Sequence, residues 1–192
     1  MPIPSDTLRE LIMQAQCNDP AAYEQLYQRY VDALYRYLTA QCNDAVLAEE
    51  ALGDLWLRVV QYLPRFRIPE EGVDQAFSSW LYRIARNLAI DARHKARRPV
   101  DRLVETLPAA DGDLDDALLV QYEHRSLAAA LATLTVDQRE VIVLRFYEDH
   151  TLARVASVTG RSESAVKALQ HRALGTLARK LGVSRPQAAY AD

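Results

Sequence analysis

The sequence predicts an all-α protein: two small helical domains joined by an acidic flexible linker, the C-terminal one a helix-turn-helix. Three observations predict it. Almost every segment spaces its apolar residues with helical period, and none alternates convincingly with a period of two. Residues 99–115 combine Pro99, Pro108, Gly112 and many acids, the composition of a linker. Residues 151–172, TLARVASVTGRSESAVKALQHR, read as a helix, a tight turn and a second helix.

Taken in order, Asp19-Pro20 starts a helix with a capping oxygen followed by a first-turn proline. That helix sets Tyr23, Leu26, Tyr27, Tyr30, Leu34 and Leu38 on one stripe, a core face with hydroxyls at its rim. A second helix spans 45–62, with Leu47, Ala51, Leu55, Trp56, Val59 and Leu63 inward. Its other face shows Glu50, Asp54, Leu57, Arg58 and Gln61. Residues 64–76, with two Pro and one Gly, read as a loop. Ser78 or Ser79 then caps a third helix, striped by Leu81, Ile84, Ala85, Leu88 and Ala92 and closed by Pro99.

Helix resumes near 116–132. Thr135 and Gln138 fit a capping box for the next helix, where Val141, Ile142, Leu144 and Phe146 supply core. In the helix-turn-helix, Ala156 permits close helix packing, Gly160 supplies the positive φ of the turn, and Ser162 caps the second helix. Val155, Val166 and Leu169 face inward; Lys167, Gln170, His171 and Arg172 are left largely outward. Gly182 stops the last helix. The expected division is 1–98, a linker at 99–115, a second domain at 116–184 and a tail at 185–192.

Composition narrows the function. Hydrophobic residues at 49% and charged residues at 26% suit a soluble globular protein. No 18-residue apolar run exists, so no membrane span is expected. MPIPSDTLRE has neither the basic start nor the apolar core of a secretory signal, and a cytoplasmic location is expected. Cys17 and Cys42 read as reduced thiols rather than a disulfide or metal site. The histidines, His94, His124, His150 and His171, are scattered, with no metal-ligand spacing, and no glycine-rich phosphate loop occurs. Neither an enzyme nor a cofactor is expected.

The net charge is −3, yet positive charge is concentrated locally. Residues 83–98 hold six Lys/Arg against one acid, and residues 161–185 another six against one. Between them, residues 101–123 carry seven acids and one base. Two basic patches separated by an acidic strap suggest two DNA contacts, each weak alone. The helix-turn-helix suits the major groove, although a generic helical hairpin needs the same Ala, Gly and apolar positions. The third helix, FSSWLYRIARNLAIDARHKARR, sets Phe77, Trp80 and Tyr82 at its start and arginines along it. That arrangement suits partly melted DNA; it equally suits a basic solvated face with Phe77 and Trp80 in the core.

WLYRIARNLAIDARHKARR followed by LTVDQREVIVLRFYEDHTLARVASVTGRSESAVKALQHRAL resembles the bacterial sigma-70 family, and most the small two-domain extracytoplasmic-function (ECF) branch. The resemblance covers about 20–181. It implies a promoter-specificity subunit that binds core RNA polymerase, recognises promoter DNA and helps open it. Glu50, Asp54, Leu57, Arg58 and Gln61 would meet the polymerase clamp. The loop 64–76 and the following helix would capture a flipped base of the minus-10 element, with Phe77, Trp80, Arg83, Arg86, Asn87, Arg93 and Arg97 as candidates. The second domain would read the minus-35 element through Ser164, Lys167, Ala168, His171 and Arg172, and dock on the flap. The acidic linker would run towards the RNA exit path. Family members are commonly held by an anti-sigma factor. Arg161, Leu169-Gln170 and Gly53 depart from the family pattern. The alternative is a stand-alone helix-turn-helix regulator of duplex operator DNA.

Overall fold

A computed structural model describes residues 5–96 and 129–182. Within them every regular element is helical: α1 (Ser5–Gln16), α2 (Pro20–Cys42), α3 (Ala45–Tyr62), a 3-10 turn (Leu63–Arg65), α4 (Val73–Ala96), α5 (Val136–Ile142), a π turn (Val143–Tyr147), α6 (Leu152–Thr159) and α7 (Glu163–Leu181). The linker at 99–115, most of the helix expected near 116–132 and the tail at 185–192 lie outside the described residues.

Local chemistry sets most boundaries. The Asp19 carboxylate accepts from the amide of Ala21 at 2.9 Å, and Pro20 opens α2 as expected. Asp44 caps α3 through Leu47 N. Thr135 and Gln138 form the reciprocal capping box at α5. Gly160 and Gly182 adopt φ of 68° and 66° and end α6 and α7.

Leu8, Leu11, Ile12 and Ala15 recur at i, i+3, i+4 and i+7 and are buried, which makes 5–16 a helix that the sequence reading had not placed. Two expectations are corrected. The third helix starts at Val73, not at a serine cap. Ser78 and Ser79 are buried inside it, and the Ser78 hydroxyl donates back to the Asp74 carbonyl. Phe146 is exposed, because the π turn rotates it off the inner face of α5.

Both halves share one core. α1–α4 bury Leu26, Leu34, Tyr37, Leu38, Leu55, Leu63, Phe77 and Leu81, and Val141, Val143, Leu144, Val155 and Val158 pack into the same cluster. Ile142 turns the other way, against Ala173 and Leu177 of α7. The run Val141-Ile142-Val143-Leu144 is therefore buried on every side: α5 lies between the first half and α7. Residues that pack in two directions at once form a continuous apolar run rather than a stripe, and the solvated side of α5 is confined to its first turn, Val136 to Arg139.

Polar groups stitch the seam. Glu140 forms a 2.7 Å ion pair with Arg86 and accepts from the Tyr37 hydroxyl at 3.3 Å. Glu148 accepts from the Tyr82 hydroxyl at 2.8 Å and lies 3.6 Å from Arg36. His150 sets its ring edge-on to Tyr82, 4.6 Å between centroids. Burial raises the pKa of both glutamates; Arg86 in one case and the Tyr82 hydroxyl in the other offset it in part.

Candidate promoter and polymerase interfaces

The periodicity of α4 sorts the candidates expected at the minus-10 element. Trp80, Arg83 and Asn87 lie at i, i+3 and i+7 and share a face. Arg83 and Asn87 are exposed; Trp80 is half-buried against Phe66 and Phe77, at ring distances of 5.2 and 5.6 Å. Phe77 itself is 0% exposed and belongs to the core, between Tyr30 and Phe66. It cannot stack on a base in this packing, and its part is to support Trp80. Arg86 and Arg93, again seven apart, point along a different face and line the seam with Glu140, Val136 and Gln41. The expectation of an outward Arg86 is corrected: Glu140 holds it. Arg97 lies outside the described residues.

The loop before α4 is ordered by packing rather than by ladders. Phe66 anchors it on the aromatic cluster, and Gly72, at φ 66°, turns the chain into α4. At that helix start Asp74 meets Arg29 and the Tyr30 hydroxyl, each at 3.3 Å. Burial, followed by the charge of Asp74, pushes the Tyr30 hydroxyl up to about 12.

On α7 the expected register is met. Val166 and Leu169 are buried, as is Val155 of α6. Ser164, Lys167, Ala168, His171 and Arg172 fall at i, i+3, i+4, i+7 and i+8, and all five are exposed. The Ser162 hydroxyl caps the helix through Ala165 N at 3.3 Å. Two of the three departures from the family pattern are accounted for locally. Arg161 pairs with Asp137 at 2.7 Å, tying the turn to the start of α5. Leu169 fills the core, while Gln170 accepts from Arg145 at 3.4 Å. Neither disturbs the outward face.

On α3, Glu50, Asp54, Leu57 and Gln61 are exposed and Arg58 is half-exposed. Leu57 stands out at 71% exposure, with Val60 at 52% beside it. Glu50, Asp54 and Arg58 also border a groove of about 310 Å³ between α3 and α4, with Asp91, His94 and Lys95 on its far wall. Sequence reasoning missed Tyr37, Glu140, Glu148 and His150 of the polar seam, and it set Tyr82 among aromatics suited to melted DNA, whereas that ring is buried against Tyr37 and His150. Their only local signal was a set of polar residues inside otherwise apolar stretches.

Comparison with known proteins agrees with this organisation. Residues 26–99 match the family model for sigma-70 region 2, and residues 130–179 that for sigma-70 region 4. The chain is 34% identical over 182 residues to the ECF RNA polymerase sigma factor BldN of Streptomyces coelicolor, covering 92% of this chain and 67% of that relative. It is 33% identical over 172 residues to ECF RNA polymerase sigma factor SigX of Bacillus subtilis, covering 86% of each. The solved structure of CnrH in complex with the cytosolic domain of CnrY superposes with a TM-score of 0.69 at 25% identity, over 91% of this chain and 96% of that one. With both family regions present in order and relatives above 30% identity covered over two thirds or more of their length, the chain belongs to the sigma-70 family, as an ECF RNA polymerase sigma factor.

Proposed function

We propose that this sigma factor directs promoter-specific initiation through three surfaces. Glu50, Asp54, Leu57, Arg58 and Gln61 of α3 meet core RNA polymerase. Trp80, Arg83 and Asn87 of α4, with the preceding loop, receive melted minus-10 DNA. Ser164, Lys167, Ala168, His171 and Arg172 of α7 enter the major groove at the minus-35 element, while the rest of the second half docks on the flap. Lysine and arginine supply phosphate neutralisation or guanine contacts, Ser164 a hydroxyl, and Ala168 room for close approach.

The observation that carries this reading is the unbroken outward face of α7, five positions in helical register with the buried face opposite. Arg86 and Arg93 line the seam with Glu140 and stand apart from the face of Trp80, Arg83 and Asn87. Binding and strand capture supply the work; no covalent chemistry is assigned to the chain. Domain boundaries near 98 and 116, a cytoplasmic location and an anti-sigma partner complete the proposal.

The test is reconstituted transcription with core polymerase. Association with core and promoter-directed transcripts are expected; absence of both overturns the reading. Trp80→Ala should impair strand opening, read by permanganate reactivity, more than footprinted closed-complex binding. A stand-alone regulator would instead shift duplex DNA without polymerase.

A further inference from the structure

The segment 63–72 contains Pro64 and Pro69 and passes from a 3-10 turn to the start of α4. Two side chains of α1 hold its backbone. Nη2 of Arg9 donates to the carbonyl oxygens of Pro69 and Glu70, each at 2.6 Å. Nε2 of Gln16 donates to those of Leu63 and Phe66, at 3.0 and 2.7 Å. Arg9 and Gln16 are seven residues apart, two turns along one face of α1. One helix face thus grips the entrance and the apex of the loop together. Beneath it the Phe66 ring rests on Phe77 and Trp80. Arg65, Arg67, Glu70 and Glu71 stay exposed on its outer side.

We propose that Arg9 and Gln16 are positioning residues for promoter reading: α1 fixes the 63–72 loop in the shape that receives an unpaired base. The proposal rests on the reading of that loop as part of the minus-10 interface. Capturing an extruded base requires a pocket already formed, since ordering a loose loop at the moment of binding subtracts from affinity and blurs discrimination. Donation from one nitrogen of each side chain to two carbonyls, charge-assisted for Arg9, supplies that order where neither helix nor ladder does. The docking of α1 does not depend on these two groups. Leu8, Leu11, Ile12 and Ala15 are each at most 5% exposed and anchor the helix in the core.

The experiment uses the full chain with core polymerase on a promoter library randomised across the minus-10 element, transcripts being read by sequencing. Arg9→Ala and Gln16→Leu should each reduce base discrimination at the position read by the loop by about tenfold. Affinity for core and discrimination across a randomised minus-35 library should change by less than about twofold. Arg9→Lys, which keeps a charged donor, should recover part of the loss. Wild-type discrimination in folded Arg9→Ala and Gln16→Leu chains overturns the proposal, and so does an equal loss at both elements, which marks a general structural role. A parallel set, Arg65→Ala and Arg67→Ala, separates the two layers. If these exposed loop variants leave minus-10 discrimination intact, the loop reading fails and the proposal falls with it. If they alter it while Arg9→Ala does not, only the role of α1 fails.

Discussion

Arg86 of α4 and Glu140 of α5 stand 2.7 Å apart, an ion pair across the seam between the two halves of the chain. Glu140 is almost wholly buried, and Arg86 retains about a quarter of its side-chain exposure. The same carboxylate accepts from the Tyr37 hydroxyl, so one side chain ties α2, α4 and α5 together.

Breaking one partner should therefore cost more than breaking a surface pair. Glu140→Ala is expected to lower unfolding free energy by about 2 kcal/mol, less than for a fully buried pair because water reaches Arg86. A cycle of Glu140→Gln with Arg86→Met, read by urea denaturation, should return a coupling near 1 kcal/mol. Coupling near zero would show that the halves do not meet through this pair.

His150 gives the seam a pH dependence. It packs edge-on to Tyr82, and burial, then the charge of Arg154, lowers its pKa to about 4. Asp74 acts in the opposite sense. The folded imidazole is neutral, whereas the unfolded one ionises near 6.5. Its contribution is thus intact above about pH 6.5 and is lost as pH falls towards 4. Glu140 and Glu148, with raised pKa values, work the other way: their protonation at low pH favours the fold. Comparing wild type with His150→Phe isolates the histidine. The variant should gain on the order of 2 kcal/mol relative to wild type between pH 6.5 and 4.5, by thermal or urea unfolding. Parallel pH profiles would contradict the assignment.

Gly53 offers a test on the opposite surface. It lies exposed within α3, and an added Cβ would meet nothing within 4 Å. Gly53→Ala should stabilise the chain by about 0.5–1 kcal/mol through helix propensity. If α3 receives a close-packed polymerase helix at this point, core affinity should fall while stability rises. A rise in stability with unchanged affinity would mean that Gly53 lies outside the contact.

The α7 face predicts a divided response. Replacing a residue that contacts phosphate should weaken promoter binding by holoenzyme across all minus-35 sequences and reduce the salt slope by about 1. Replacing one that reads a base should cost about 1–3 kcal/mol at one position and relax preference there. Lys167→Ala and Arg172→Ala, measured against a minus-35 library at several salt concentrations, should each fall into one class. Unchanged promoter output from both would remove α7 from the DNA interface.

Much of this molecule was legible in its sequence because the signals were local. Asp19-Pro20, the Thr135–Gln138 box, Ser162, Gly160 and Gly182 each act within a few residues of themselves, through backbone groups that any helix end exposes. The outward register of α7 followed from the same periodicity. What tertiary structure decided were distances between residues far apart in the chain. Phe77 became core because α2 and the 63–72 loop close over it, and Arg86 turned from solvent because Glu140, 54 positions later, lies opposite. Val141 to Leu144 gave no stripe because the four pack in two directions, Val141, Val143 and Leu144 into the core of the first half and Ile142 against α7. Sequence alone determined most helix ends and the outward face of α7, because those signals act locally; only the packing of the two halves decided which side chains face water and which face a partner.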